Sequence, residues 1–166
     1  MTALTRNISI RALARDDVPE VIDLLQSCHR RPDGTVPPRY CESALRRMLY
    51  DATAAICPHG SNVLVALVDG DIVGVVAYRS AFISALGWEI AYWGTSPRHQ
   101  GHGVGGRLLD AALTQIRHGA APDHFVLVRT AHPAAFARRG FHPLPEDAAL
   151  MRAQVRGLRL AALESA

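Results

Sequence analysis

No stretch of this 166-residue sequence holds an apolar run near the roughly 20 residues of a membrane-spanning helix. The opening MTALTRNISIRALARDD also lacks the apolar core and small-residue cleavage site of a signal peptide. Both absences lead to an expectation of a cytoplasmic protein that engages no membrane. Cysteine is scarce. Cys28, Cys41 and Cys57 are odd in number and lack zinc-like or redox spacing, which predicts reduced thiols rather than a disulfide framework, with none of them acting as a nucleophile. Basic runs are missing as well: a net charge of +3 without clustered cations argues against tracking a nucleic-acid backbone and fits a small polyanionic ligand. The eight histidines show no H-x-x-x-H or H-E-x-x-H pairing, so no metal site is expected. Internal repeats and low-complexity tracts are absent.

What is present suits one soluble globular domain over residues 1–166, with 49% apolar and 20% charged residues giving a sizeable core under a polar surface. ISIRAL (8–13) alternates as a strand. Asp16 or Asp17 then stands at the head of a helix whose Val18, Val21, Ile22 and Leu25 recur at helical spacing. The Pro- and Gly-rich HRRPDGTVPPRY reads as a rim or lid before a second helix running from near Tyr40 to about Ala52. NVLVALV and IVGVVAY flank Asp69-Gly70, the signature of a tight hairpin. WEIAYWGT (88–95) is a third strand, followed by SPRHQGHGVGG and a helix marked by Val104, Leu108, Leu109, Ala112, Leu113 and Ile116. HFVLVR (124–129) is another strand, and PAAFARRG carries proline at a helix start and glycine just past its end. The closing AALMRAQVRGLRLAALESA is compatible with either a strand or a helix.

The glycine stretch carries the chemistry. A loop between a strand and a helix N-terminus exposes unpaired N–H groups and the positive end of the helix dipole, which together attract anions. Glycines at 101, 103, 105 and 106 allow positive φ and the approach of a phosphate where a Cβ would collide. GHGVGG also satisfies the G-x-G-x-x-G pattern of dinucleotide folds. However, SPRHQ intervenes between strand and first glycine, and the 60 residues after Gly106 leave no room for a second mononucleotide half. A Walker A loop is excluded because Arg107-Leu108 stands where Lys-Ser/Thr is needed.

Pro97, Gln100, Gly103 and Gly105 together resemble the Gln/Arg-x-x-Gly-x-Gly/Ala motif of the GNAT superfamily of acyl-CoA-dependent N-acyltransferases. The order of elements from Ile8 to Phe141 and the FARRGF segment are similar to that superfamily too. The resemblance implies a mixed α/β fold: a mostly antiparallel central sheet flanked by helices, with a splayed parallel strand pair at the cofactor site. It implies acetyl-CoA as acyl donor, with the backbone of Gln100, Gly101, His102, Gly103, Val104, Gly105 and Gly106 cradling the pyrophosphate. Trp93, Gly94 and Thr95 would then hold the pantetheine and thioester, and homodimers are common in the superfamily.

The reaction implied is direct acetyl transfer to the primary amine of a small acceptor. It needs a base, an aligned donor and polarisation of the thioester carbonyl. Glu89 is the expected base. Strict alternation would set it on one face with Ala91, Trp93 and Thr95. The tyrosine that serves as general acid in relatives is replaced by Phe136, expected to pack under the cofactor, which leaves Tyr92 and His132 as substitutes. Arg30, Arg31 and Arg39 in the lid suit a carboxylate and so an amino acid acceptor. The missing phenol keeps open a catalytically silent module that binds acyl-CoA or a partner.

Overall fold

A computed structural model describes residues 7–54, 62–81 and 84–160. The strands are β1 (Ile8–Ala12), β2 (Asn62–Val68), β3 (Asp71–Ser80), β4 (Gly87–Thr95), β5 (Phe125–Arg129), β6 (His142–Leu144) and β7 (Asp147–Gln154). The helices are α1 (Val18–His29), α2 (Glu42–Thr53), α3 (Val104–Gly119) and α4 (Pro133–Ala137). The strands form one sheet in the order β1-β2-β3-β4-β5-β7-β6, antiparallel throughout except for the parallel β4–β5 pair. The architecture is the mixed α/β one expected.

The continuous apolar run of β2 has a simple cause: both faces of the sheet are covered, so both sets of alternating side chains are buried. Val63 and Val65 point to α1 and α2, where Val18, Val21, Leu25, Leu45 and Leu49 form one core. Leu64 and Ala66 point the other way, to the stripe of Leu108, Leu109, Ala112, Leu113 and Ile116 on α3. The β2–β3 turn is tight because Asp69 and Gly70 both take positive φ, 55° and 95°, whose twist matches that of the flanking strands. None of the described helices is long and apolar enough to cross a membrane.

Two irregularities in β4 shape the clefts beside it. It pairs with β5 only from Gly87↔Phe125 to Ile90↔Val128. On its other edge the ladder with β3 continues to Gly74↔Thr95. Past Ile90 the parallel strands therefore diverge into a V, as the resemblance implied. Ala91 is also an extra residue: Tyr78 opposes Ile90 while Ala77 opposes Tyr92, a β-bulge that shifts the alternation by one. Trp88 and Ile90 face the α3 side before the bulge, and Trp93 faces it after, whereas Tyr92 faces α1 and α2. The shared face expected for Glu89, Trp93 and Thr95 is thus corrected: Glu89 lies on the opposite side of the sheet from the other two.

The ambiguous end is a strand for most of its described length. Residues 147–154 form β7, which pairs with β5 on one edge and with the short β6 on the other. A single 3-10 turn, Val155–Gly157, follows.

Candidate active site

The loop from Ser96 to Gly103 leaves β4 through a 3-10 turn at Pro97–His99 and enters α3 at Val104. Its glycines serve two separate ends. Gly101 and Gly103 hold left-handed φ values of 78° and 83°, with open space where a Cβ would stand. Gly105 is needed for packing instead: a Cβ there would lie 3.0 Å from Thr95 Oγ1 and 3.1 Å from the Trp93 ring, whose Nε1 donates to the Gly105 carbonyl at 3.0 Å. No side chain caps α3, so its first amides point free at the loop.

These amides open onto a cleft of about 270 Å³. Of the residues expected to bind cofactor, Trp93, Gly94, Thr95, Gln100, Gly101, Gly103, Val104, Gly105 and Gly106 all line it. Gln100 Nε2 and Cys28 Sγ both donate to the Thr95 carbonyl, at 3.1 and 3.3 Å, tying the loop and α1 to the end of β4. Gly94 allows this approach, since a Cβ there would meet Cys28 Sγ at 3.3 Å. His102 is not brought in; its exposed ring sits against the Gln100 carbonyl.

A second cleft, about 400 Å³, fills the V between β4 and β5. It shares His29, Trp93 and His132 with the first, so the two meet at those side chains. Phe136 lies on its wall, fully buried and edge-on between Trp93 and Phe141 at ring separations of 5.4 Å. Tyr92 also lines it, but its hydroxyl donates to the Arg39 carbonyl at 3.2 Å. His132 stands exposed at the lip, 6.2 Å edge-on from Trp93.

The arginines divide. Arg39 lines the second cleft, donates to the Ala91 carbonyl at 2.6 Å and lies over the rings of Tyr40 and Tyr92 at 5.2 and 5.3 Å. Arg30 is turned away to the Gly34 carbonyl, and Arg31 does not reach either cleft. Arg129, not among the residues expected there, lies on the wall of the second cleft. The sequence has 18 arginines and no lysine, so both cations on this wall carry the planar fork that pairs with a carboxylate through two hydrogen bonds. Among the described residues no aspartate or glutamate lines the second cleft. Glu89 is among those left out: its carboxylate pairs with Arg79 at 3.0 Å, across the β3–β4 ladder.

His29 lines both clefts and was not among the residues expected there. It continues the stripe of Leu25 at the i+4 position, and a histidine on an apolar stripe was the available signal. Its ring stacks on Tyr40 at 3.9 Å and 15°, and its Nε2 is buried without a hydrogen-bond partner. Burial pushes its pKa below the usual imidazole value, helped by Arg39 and His132 and opposed by the nearby Trp93 backbone. Cys28 beside it is pushed up by burial, which keeps it a thiol. Cys28 and Cys41 are free thiols, and Cys57 lies outside the described residues. No group of three or more metal-ligating side chains occurs among the described residues.

The profile of the acetyltransferase (GNAT) family matches residues 18–141, and the chain belongs to that family. Solved structures show the same fold at low identity. The PaiA N-acetyltransferase of Thermoplasma acidophilum in complex with coenzyme A superposes with a TM-score of 0.68 at 16% identity, over 89% of this chain and 99% of that one. A GNAT family acetyltransferase of Brucella melitensis in complex with acetyl-CoA gives 0.66 at 19% identity, over 90% and 88%. The YhbS N-acetyltransferase of Escherichia coli in complex with CoA gives 0.66 at 18%, over 93% and 85%. No curated protein matches the sequence.

Proposed function

We propose that this protein is an N-acetyltransferase that moves the acetyl group of acetyl-CoA to the primary amine of a small acceptor carrying a carboxylate. The observation that carries this reading is the meeting of two clefts of different character, one ending on free helix amides and the other lined by arginine without acid. The pyrophosphate would lie at Gly101 to Gly106 on the α3 dipole, and the thioester would reach the junction past Trp93, Gly94 and Thr95. Unpaired β4 amides beyond Ile90 would polarise its carbonyl, and the acceptor would enter by the V with its carboxylate toward Arg39 and Arg129. Binding both substrates in one continuous groove supplies proximity, and direct transfer needs no acyl-enzyme. Acetyl-CoA is a cytoplasmic thioester, which would place the reaction there. A silent acyl-CoA-binding module remains the second reading because Phe136 offers no hydroxyl; turnover of acetyl-CoA separates the two.

Acetyl-CoA is expected to raise the thermal midpoint by mass action, and Gly103→Val to remove most of that rise while leaving the protein folded. A branched residue at φ 83° must distort the loop that offers the amides. Isothermal titration on the folded variant checks this, and unchanged affinity would move the phosphate site elsewhere.

For the acceptor, amino acids are expected to be acetylated at least about tenfold more efficiently than their decarboxylated amines, as one charge-assisted contact would give. Arg39→Ala should raise KM for the acid and spare KM for the amine, with acetyl-CoA affinity as the control for an intact β4. Acetyl-CoA consumption over matched acid and amine pairs measures both. Equal efficiency across the pairs, or preference for a polyamine, would overturn the carboxylate while leaving the acyl-CoA reading standing.

A further inference from the structure

We propose that His29 is the proton carrier of the acetyl transfer, an assignment that rests on the acyltransferase reading above: its imidazole takes the proton released by the attacking amine and returns it to the departing CoA sulfur. The placement is specific. His29 is the last residue of α1 and lines both clefts at their junction, where sulfur would arrive from the glycine side and nitrogen from the arginine side. Stacking on Tyr40 holds the ring in one plane, and Nε2 is buried without a hydrogen-bond partner. A buried nitrogen without a partner carries an uncompensated desolvation cost, which a hydrogen bond from an amine or thiol bound at the junction would relieve.

The other polar groups at the junction are spoken for. Tyr92 donates its hydroxyl proton to the Arg39 carbonyl, Cys28 donates to the Thr95 carbonyl, and Phe136 has nothing to give. His132 touches both clefts but is exposed at their lip, where water competes for it. Glu89 lines neither cleft and is held by Arg79.

The step balances with no further reactant. The acceptor sheds one ammonium proton to solvent on entering the arginine-lined cleft, whose charge disfavours the cation. Its free amine attacks the thioester carbon, forming the C–N bond and leaving a positively charged nitrogen on the tetrahedral adduct. Neutral His29 accepts that proton at Nε2. The C–S bond then breaks, and the imidazolium protonates the CoA thiolate, a much stronger base than imidazole. Amide and free thiol leave, and His29 is neutral again.

The groups facing His29 support this protonation state. Burial disfavours the imidazolium, the Trp93 backbone opposes that, and Arg39 and His132 repel a second proton; Cys28 and Tyr40 are held neutral by burial, the Tyr92 hydroxyl is engaged as a donor, and among the described residues no carboxylate lines either cleft. The sign follows. The working form is the neutral ring, so activity falls as pH drops through its pKa, and that fall lies on the acid side of an ordinary histidine.

The first test needs no acceptor. In protein labelled at histidine Cε1, the His29 resonance should titrate below the ordinary imidazole value and shift when acetyl-CoA or CoA binds, but less with desulfo-CoA. A His29 signal indifferent to bound acetyl-CoA would overturn the proposal, whereas failure of acetyl-CoA to bind at all would instead sink the acyltransferase reading. With the best amino acid from the matched pairs as acceptor, His29→Asn should lower kcat by about a hundredfold or more and flatten the acid limb, with acetyl-CoA affinity retained. His29→Phe keeps a flat ring on Tyr40 and removes both nitrogens, so it separates chemistry from packing and should show the same loss. Near-normal kcat in a folded His29→Phe protein, or a loss confined to Glu89→Gln or to His132→Asn, would place proton transfer elsewhere.

Discussion

Asp110→Ala is expected to destabilise the protein by about 3 to 5 kcal/mol, the effect of stripping one partner from a buried ion pair. Asp110 is a polar residue in the first half of α3, only 5% exposed, and it accepts from Arg139 through both oxygens, at 2.6 and 2.8 Å. The same guanidinium donates to the Gly106 carbonyl at 3.0 Å and to the Ala135 carbonyl at 2.8 Å. One arginine thus ties the first turn of α3, where the phosphate is proposed to sit, to α4. Without Asp110 its charge stays buried with only carbonyl partners, so the loss should exceed that of a surface pair severalfold. Denaturant unfolding measures it, and Arg46→Ala, which breaks the exposed Arg46–Glu42 pair, is the control expected to stay within about 1 kcal/mol. A change of similar small size for Asp110→Ala would show that the buried pair is replaced by water.

Gly140→Ala is the second severe change. Gly140 takes φ 89°, and a Cβ there would overlap the carbonyl oxygen of Gly157. The left-handed conformation alone costs alanine about 1 kcal/mol. The overlap is with backbone that Arg159 N→Arg139 O pairing holds in place, so the chain cannot yield cheaply. A total of about 3 to 5 kcal/mol follows, in the severe tail of single substitutions. Gly34→Ala isolates the first contribution, since Gly34 has φ 83° and open space around its missing Cβ. If the two variants lose equal stability by denaturant unfolding, the contact between FARRGF and the 3-10 turn gives way without cost.

Much of this was legible in the chain. Apolar spacing on α1 and α3 marked their buried faces, Asp69-Gly70 marked the hairpin, and the glycine stretch marked the loop of free amides at the head of α3 because its chemistry is local. Non-local facts were hidden. Nothing in EIAYW announces that Ala91 is the extra residue, since a bulge is defined by the partner strand, and counting by twos therefore sent Glu89 to the wrong face. The partnership of Glu89 with Arg79 depends on the same register. β6 is three residues long and contains Pro143, too short for alternation to speak. Arg39 lines the second cleft, and its lid lies between α1 and α2 in sequence, so its neighbourhood could be read locally. Arg129 was missed because only the strand order β4-β5-β7 brings it to the V.

The position of Trp93 has an optical consequence. The chain has two tryptophans, and Trp88 lies away from both clefts, 6.3 Å from the Tyr78 ring. Trp93 borders both, with its indole N–H on the Gly105 carbonyl and its ring edge-on to Phe136. A fluorophore thus stands where donor and acceptor are proposed to meet, reporting polarity and quenching there. With Trp88 replaced by phenylalanine, emission would come from that junction alone. Cofactor arrival, acceptor arrival and thiol release would then be separable in time by stopped flow, without a label and without knowing the acceptor beforehand.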